Sequence, residues 1–275
     1  MTYRERLLRA TRRSRLCVGL DPVPEKLPQS FRVGRDGAAR FIEEIVRATS
    51  PWVAAYKPNL AFFEALGKQG EETLQRTIEV VRDMAPHAVL IGDGKRGDIG
   101  STAERYAVAL FERWGFDAAT VNPWFGADGV KPFSENPDKG VYLLAATSNP
   151  SSAEVQETPK IDDSLPVRIA RLAEKDWNEH ENVGLVVGAT RVEIMEAVRD
   201  AAPNLPWLIP GVGAQGGDLE TALLHGVGDR KLPSVINASR SILYASQGED
   251  FAGAAEREAR KLAEAINRAT AEPVA

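Results

Sequence analysis

Eight short, almost continuously apolar runs recur along the chain, and each is followed by a polar or glycine-containing turn and then by an amphipathic stretch. Runs that are apolar at every position are typical of strands buried on both faces, as in parallel sheets. Eight strand–helix units in a chain of 275 residues predict an α/β fold, a (β/α)₈ TIM barrel that forms one domain over residues 1–275. The runs occupy residues 16–22, 52–58, 88–93, 118–123, 141–147, 183–188, 207–211 and 234–238.

The segments outside these units lead to three further expectations. The basic N-terminus could be a transit segment, but it contains glutamate and leads directly into the first apolar run, which favours a short N-terminal helix. Ser101 and Thr190 each precede a glutamate by three residues, a pattern that predicts helix N-caps. The loop after the fifth strand, residues 146–166, is too long for a simple connection, so it is either a functional lid, which we favour, or disordered.

Composition limits the classes of partner and the compartment. The net charge is −5 and no basic stripe dominates any segment, so nucleic acid is not an expected partner. No apolar run reaches the roughly 18 residues of a membrane span, and no membrane partner is expected. The single cysteine, Cys17, excludes an internal disulfide framework and is typical of a cytoplasmic protein.

Polar residues stand at the ends of most predicted strands. In a (β/α)₈ barrel the active site is built from the carboxyl ends of the strands and from the loops that follow them. A site at this rim needs polar side chains there, although strand ends meet water in any case. The strand-end residues are Asp21, Lys57, Asp93, Asn122, Thr147, Ser148, Pro210, Gly211 and Asn237.

The third strand ends in the most heavily charged stretch, DGKRGDIGST (93–102). Residues two apart on a strand face the same side, so Asp93 and Lys95 both face the barrel mouth if either does. Lys57 ends the neighbouring strand, which places a carboxylate between two ammonium groups. A buried salt-bridge cluster would have the same composition. The position at the catalytic rim favours a site whose field acts on a substrate.

The longer string DGKRGDIGSTAERYA resembles the signature of the orotidine 5′-phosphate decarboxylase family, in its bacterial type 2 branch. The similarity continues through most of the chain. This resemblance implies decarboxylation of orotidine 5′-monophosphate to uridine 5′-monophosphate and CO₂ in de novo pyrimidine biosynthesis, without a metal or another cofactor. The further matching segments are GLDP, YKPNLAFFE, NPWFGADGVKPF, TSNPSS, PGVGAQGGD and NASRSI.

The resemblance also implies a catalytic role for each of four charged residues, Lys57, Asp93, Lys95 and Asp98. Lys95 would stabilise the negative charge that develops on C6 of the pyrimidine and protonate that carbon. Asp93 would lie against the substrate carboxylate, and Lys57 would keep the aspartates ionised and contact the ribose. Asp98, together with Ile99 and Thr102, would enter the active site of a partner subunit, which implies a homodimer with composite sites.

Substrate-binding residues are implied at other strand ends. Barrels often bind phosphate through the loops after strands 7 and 8, where the chain has the glycine-rich segment 210–218 and NASRSI. By resemblance Gln215 and Arg240 hold the phosphate, Asp21 binds the ribose hydroxyls and Ser148 reads the pyrimidine edge. Ordinary turn residues are the alternative for each of these loops. Asn59 and Asn122 are plausible pocket residues without an assigned role.

Other functions from the same superfamily remain open from the residues alone. The nearest is a metal-dependent sugar-phosphate decarboxylase or a hexulose-phosphate synthase, but Lys57 stands where such an enzyme needs a carboxylate ligand. A Schiff-base aldolase is disfavoured because the adjacent aspartates keep a lysine protonated. A catalytically silent phosphosugar-binding barrel is disfavoured because no member of the charged set is missing. No pair among His87, His180 and His225 has metal-ligand spacing.

Overall fold

Eight parallel strands close into a barrel in which each strand pairs with the next and the eighth pairs with the first. The computed structural model describes residues 1–32, 34, 36–157, 161–212, 218–228 and 231–270. The predicted (β/α)₈ fold is therefore confirmed. The strands are β1 (Leu16–Gly19), β2 (Ala55–Lys57), β3 (Val89–Arg96), β4 (Ala118–Val121), β5 (Gly140–Ala146), β6 (Val183–Val187), β7 (Trp207–Ile209) and β8 (Val235–Ala238).

Two apolar layers explain why the strands are apolar at successive positions. Side chains that face the barrel axis, such as Ile91 and Leu208, form an inner cluster. Alternate side chains, such as Leu90 and Ile209, pack outward against the helices in a larger cluster. Because successive residues of a strand face opposite sides, a strand between two apolar layers has no polar face.

Twelve α-helices lie in the part of the chain that the structure describes, most of them between successive strands. None of the described helices is long and apolar enough to cross a membrane. They are α1 (Tyr3–Arg13), α2 (Gly37–Thr49), α3 (Leu60–Glu64), α4 (Lys68–Met84), α5 (Gly100–Val108), α6 (Ala127–Ser134), α7 (Ala153–Gln156), α8 (Leu165–Lys175), α9 (Val192–Ala201), α10 (Leu219–Gly226), α11 (Arg240–Leu243) and α12 (Phe251–Thr270).

The predicted N-terminal helix, α1, closes the amino-terminal end of the barrel. It begins with a capping box in which Thr2 accepts a hydrogen bond from the backbone N–H of Glu5 and the Glu5 side chain accepts one from Thr2. The hydroxyl of Tyr3 reaches into the barrel and donates to that of Tyr142 at 2.9 Å. Buried Asp117, just before β4, pairs with Arg6 of α1 at 3.1 Å. These contacts leave the opposite end as the open one.

Two local predictions were wrong. Ser101 lies inside α5, which begins at Gly100 because the chain turns there with a φ of +53°, and Ile99 occupies the N-cap position. Thr190 also does not cap a helix, since the N-cap of α9 is Arg191.

The segment after β5 has more structure than a plain loop. It contains α7 and two short 3₁₀ turns, 150–152 and 161–163. Gln156 of α7 accepts a hydrogen bond from the Thr147 backbone N–H at 3.0 Å and donates one to the Thr147 hydroxyl at 2.8 Å. These two bonds fold the first half of the segment back onto the end of β5.

Candidate active site

A cavity of about 710 Å³ opens at the carboxyl ends of the strands. We call it the rim cavity. Its volume falls within the range of roughly 300–1,000 Å³ that is usual for small-molecule sites. Seven of the eight barrel strands, all but β1, contribute residues that line it, which is the arrangement expected of a barrel active site. The lining includes Asp21, Lys26, Lys57, Asn59, Phe62, Asp93, Lys95, Thr120, Thr147, Ser148, Asn237, Arg240 and Tyr244.

Three of the predicted charged residues meet on the floor of this cavity. Lys57 Nζ donates to Asp93 Oδ2 at 2.7 Å, and Lys95 Nζ donates to Asp93 Oδ1 at 2.6 Å. Each lysine therefore has its own carboxylate oxygen. We refer to Lys57, Asp93 and Lys95 as the charged array. It is the arrangement of one carboxylate between two ammonium groups that the strand order predicts.

Burial differs sharply between the two lysines of the charged array. The side chain of Lys57 is 6% exposed and that of Asp93 is 8% exposed, whereas that of Lys95 is 48% exposed. The Lys57–Asp93 pair is thus a buried ion pair whose members cannot exchange partners with water. Lys95 lines the cavity with a half-exposed side chain, so it is accessible to a molecule bound there.

The charged array stabilises the ionised form of each buried group. Burial by itself would raise the pKa of Asp93, but the ammonium groups of Lys57 and Lys95 outweigh burial and hold that pKa well below its usual range. Burial would likewise lower the pKa of Lys57, and the carboxylates of Asp93 and Asp21 outweigh it and raise that pKa. Asp93 is therefore an anion and Lys57 a cation across the physiological pH range.

The ends of β1 and β2 are joined beside the charged array. Asp21 Oδ1 accepts a hydrogen bond from the backbone N–H of Asn59 at 3.2 Å. The backbone oxygen of Asp21 accepts one from the Tyr244 hydroxyl at 2.9 Å, and that hydroxyl accepts one from the N–H of Val23. The predicted ribose-binding residue is therefore held on the cavity wall next to Lys57.

The remaining predicted binding residues divide between two groups. Ser148, after β5, and Arg240, the first residue of α11, both line the rim cavity. Arg240 is exposed, so its guanidinium is accessible to an anion. Gln215 lies outside the described residues, with the rest of 213–217.

Asp98 does not join the charged array of its own chain. Its Oδ1 accepts a hydrogen bond from the Ile99 backbone N–H at 2.8 Å, and neither residue lines the rim cavity in the described structure. Ile99 is 53% exposed, and Thr102 is exposed as well. Asn122, a plausible pocket residue from the sequence, also lies outside the lining and accepts from the Trp124 backbone N–H. Three of the four predicted catalytic residues are thus brought together within one chain.

The structure adds lining residues that the sequence argument missed. Thr120 in β4 is 1% exposed and its hydroxyl donates to Asp93 Oδ1 at 2.9 Å. The signal available in the sequence was a hydroxyl in the otherwise apolar AATV run. Phe62 lies in α3 and Tyr244 directly follows α11, so their approach to the cavity depends on helix packing, and no local pattern indicates it.

Comparison with known proteins then identifies the family. The model of the orotidine 5′-phosphate decarboxylase / HUMPS family matches residues 14–255. The chain belongs to this family.

Family relatives match almost from end to end. The orotidine 5′-phosphate decarboxylase of Roseiflexus sp. (strain RS-1) is 44% identical over 273 residues, covering 98% of each chain. That of Delftia acidovorans is 44% identical over 278 residues, covering 98% of this chain and 100% of the relative. The solved structure of Leishmania donovani OMP decarboxylase is 35% identical, has a TM-score of 0.84 and covers 98% of each chain. The resemblance drawn from the DGKRGDIGST segment is thereby confirmed at the level of the family.

Whether the site could hold a metal ion depends on the side chains that it contains. Within the described ranges, no three His, Cys, Asp or Glu side chains are arranged to hold a metal ion. β2 ends in Lys57, a cation rather than a carboxylate.

Proposed function

We propose that this protein is a carboxy-lyase that converts orotidine 5′-monophosphate into uridine 5′-monophosphate and CO₂, a step of de novo pyrimidine biosynthesis. The observation that carries the proposal is the charged array at the floor of the rim cavity, with Asp93 held between Lys57 and Lys95. Its support is that relatives 44% identical over nearly the whole chain carry the name of that activity.

The reaction breaks the bond between C6 of the pyrimidine and its carboxylate. The electron pair stays on C6 as CO₂ leaves, and a proton must then replace the carboxylate. Of the two lysines, Lys95 is the accessible one, since its side chain is 48% exposed and that of Lys57 is 6% exposed. Lys95 therefore donates the proton to C6, and the neutral amine is reprotonated from water.

The fixed charges of the array lower the barrier to decarboxylation further. The ammonium group of Lys95 lies where negative charge develops on C6, so it stabilises the transition state more than the bound substrate. Asp93 lies against the substrate carboxylate in this proposal, and its negative charge disfavours the ground state relative to the carbanion. Lys57 keeps Asp93 ionised from the buried side and fixes one carboxylate oxygen.

The other cavity residues account for the rest of the nucleotide. Arg240 binds the phosphate as a bidentate donor, with Gln215 as the second group of that subsite. Asp21 binds the ribose hydroxyls and Ser148 the pyrimidine edge. Support comes from their positions, since Asp21, Ser148 and Arg240 line one continuous cavity with the charged array.

Asp98, Ile99 and Thr102 complete the site of a second subunit in this proposal. Supporting it are the exposed apolar side chains on the adjacent loops after β3 and β4, where Trp124 is 69% exposed, Phe125 44% and Ile99 53%. A cluster of this kind is typical of a protein–protein interface. A cytoplasmic homodimer, in which residues 1–275 of each chain form one barrel domain, is the assembly that we infer.

One assay tests the activity. Purified protein is treated with a chelator, mixed with orotidine 5′-monophosphate, and followed by loss of the orotate absorbance. We expect turnover that the chelator does not change. Turnover only after a divalent metal is added, or none, would contradict the proposal. Activity on a sugar phosphate with added metal would instead support the alternative, a hexulose-phosphate synthase or a metal-dependent sugar-phosphate decarboxylase.

A further inference from the structure

The hydroxyl of Thr120 connects two members of the charged array. Its oxygen donates to Asp93 Oδ1 at 2.9 Å and accepts from the backbone N–H of Lys95 at 3.0 Å. An ionised carboxylate only accepts hydrogen bonds and a backbone N–H only donates, so neither bond can be reversed. The single proton of the hydroxyl is committed to Asp93. Thr120 is 1% exposed, so water cannot easily replace either bond.

The backbone explains why Lys95 needs this partner. In the pairing of β3 with β4, Gly92 lies opposite Ala119 and Arg96 lies opposite Val121, so three β3 residues stand opposite Thr120 alone. Such an irregularity leaves backbone groups without ladder partners. Lys95 sits in it with a φ of +48°, a left-handed conformation that residues other than glycine rarely adopt. The Thr120 hydroxyl takes up the N–H that this conformation directs away from the ladder.

Three donors determine the orientation of the Asp93 carboxylate. Lys57 binds Oδ2, while Lys95 and Thr120 both bind Oδ1. Without the Thr120 hydroxyl, Oδ1 would be held by Lys95 alone, whose side chain is 48% exposed and can move toward water. The hydroxyl therefore restrains the carboxylate on the side where the cavity is open.

We propose that Thr120 is a positioning residue of the reaction, whose hydroxyl holds the carboxylate of Asp93 and the backbone of Lys95 in the relative geometry that the chemical step needs. This inference rests on the proposed decarboxylase function. Thr120 acts through its two neighbours, so its loss reduces the rate of the chemical step and leaves the binding of the nucleotide unchanged.

The test is a set of substitutions that separate the hydroxyl from the shape of the side chain. Thr120→Val keeps the shape and removes the hydroxyl, whereas Thr120→Ser keeps the hydroxyl. We expect kcat of Thr120→Val to fall about 10- to 100-fold with KM within about twofold of the wild type, as for the loss of a hydrogen bond to a charged group. Thr120→Ser should stay within about threefold of the wild-type kcat.

A matched control is Thr77→Val in α4. Thr77 is fully buried, and its hydroxyl donates to the backbone oxygen of Thr73 at 2.8 Å. Its loss should leave kcat unchanged. If Thr120→Val does not fold, the pair Thr120→Ser and Thr120→Ala serves instead, because those two variants differ only by the hydroxyl.

Several outcomes overturn the proposal. Full activity in Thr120→Val would show that the hydroxyl is not needed, and equal losses in Thr120→Val and Thr120→Ser would show that it is not the group that matters. A raised KM with unchanged kcat would indicate a binding role.

Crystal structures keep this inference separate from the decarboxylase assignment. If wild-type protein does not turn over orotidine 5′-monophosphate, the proposed function fails, and the geometric part is still tested by structures of the wild type and Thr120→Val. We expect Lys95 of the variant to leave the left-handed region, or its Nζ to lie beyond about 3.5 Å from Asp93 Oδ1. Unchanged geometry would overturn the positioning role.

Discussion

The buried pair of Lys57 and Asp93 makes a sharp prediction about stability. The Lys57 side chain is 6% exposed, and Asp93→Asn deprives its ammonium group of the carboxylate that lies 2.7 Å away. Breaking a buried ion pair by neutralising one partner typically costs about 3–5 kcal/mol of the free energy of unfolding, because a buried charge remains unpaired. The asparagine oxygen can still accept one hydrogen bond, so we expect a loss near the lower end, about 3 kcal/mol.

The pH dependence of this loss follows from the same contacts. In the wild type the raised pKa of Lys57 stabilises the fold at every pH below the ordinary lysine value, and this contribution is lost only as the pH rises through the raised one. In Asp93→Asn the ammonium group of Lys57 is still buried, but of the two carboxylates that raise its pKa only that of Asp21 remains to attract it. Burial then outweighs this weaker attraction, so we expect the pKa of Lys57 to fall below its value in the unfolded chain. The folded variant then binds fewer protons than its unfolded state. Its deficit relative to the wild type shrinks as the pH rises from 7 to 9.

Urea denaturation at pH 7, 8 and 9 measures both effects. Asp83→Asn is the control, because Asp83 is exposed on α4 and its substitution should stay within about 0.5 kcal/mol of the wild type. A loss below about 1 kcal/mol for Asp93→Asn would refute the view that the buried lysine depends on this carboxylate. A loss that does not shrink with rising pH would refute the assigned cause, the unpaired Lys57 ammonium.

Three other predictions concern the lysine at the cavity, the dimer and the closed end of the barrel. Lys95→Ala should lower kcat for orotidine 5′-monophosphate by about 10²–10⁴-fold, the usual contribution of a general acid. Its free energy of unfolding should change little, because the side chain is 48% exposed. Mixed dimers of Lys95→Ala and Asp98→Ala chains should regain activity through one intact composite site, and confirmed mixed dimers that stay inactive would contradict the partner role of Asp98. Tyr3→Phe removes the hydrogen bond to Tyr142 and should lower the free energy of unfolding by about 1 kcal/mol in urea titrations, with activity retained.

Much of the fold was predictable because burial on both faces leaves a local signature. Each of the eight apolar runs contains or overlaps a barrel strand, although the boundaries move by up to three residues. β3 runs to Arg96, beyond its apolar run, because its last residues belong to the irregular pairing with β4. The helix caps at Ser101 and Thr190 were mispredicted because a capping pattern does not show where the preceding turn leaves the chain.

The candidate site also has a part that the sequence predicts and a part that it does not. That Lys57 and Asp93 lie side by side follows from the sequence by itself, because consecutive strands of a barrel are neighbours and their carboxyl ends share one rim. Lys95 reaches the same carboxylate, but from a left-handed residue in an irregular strand rather than by the regular alternation that predicts it. The contact between Lys95 and Asp93 is therefore the predicted one, but the backbone that makes it is not a regular strand.

Thr120 shows what only the tertiary structure decided. Its hydroxyl meets Asp93, which is 27 residues away in the chain, and the meeting depends on the register in which β3 pairs with β4. The same holds for Asp98, whose position outside its own cavity is not indicated by its spacing of five residues from Asp93. Local sequence determines which faces are buried and where strands end, because those properties depend on neighbouring residues. Contacts between strands depend on register and on the path of the backbone, and these are properties of the closed barrel as a whole.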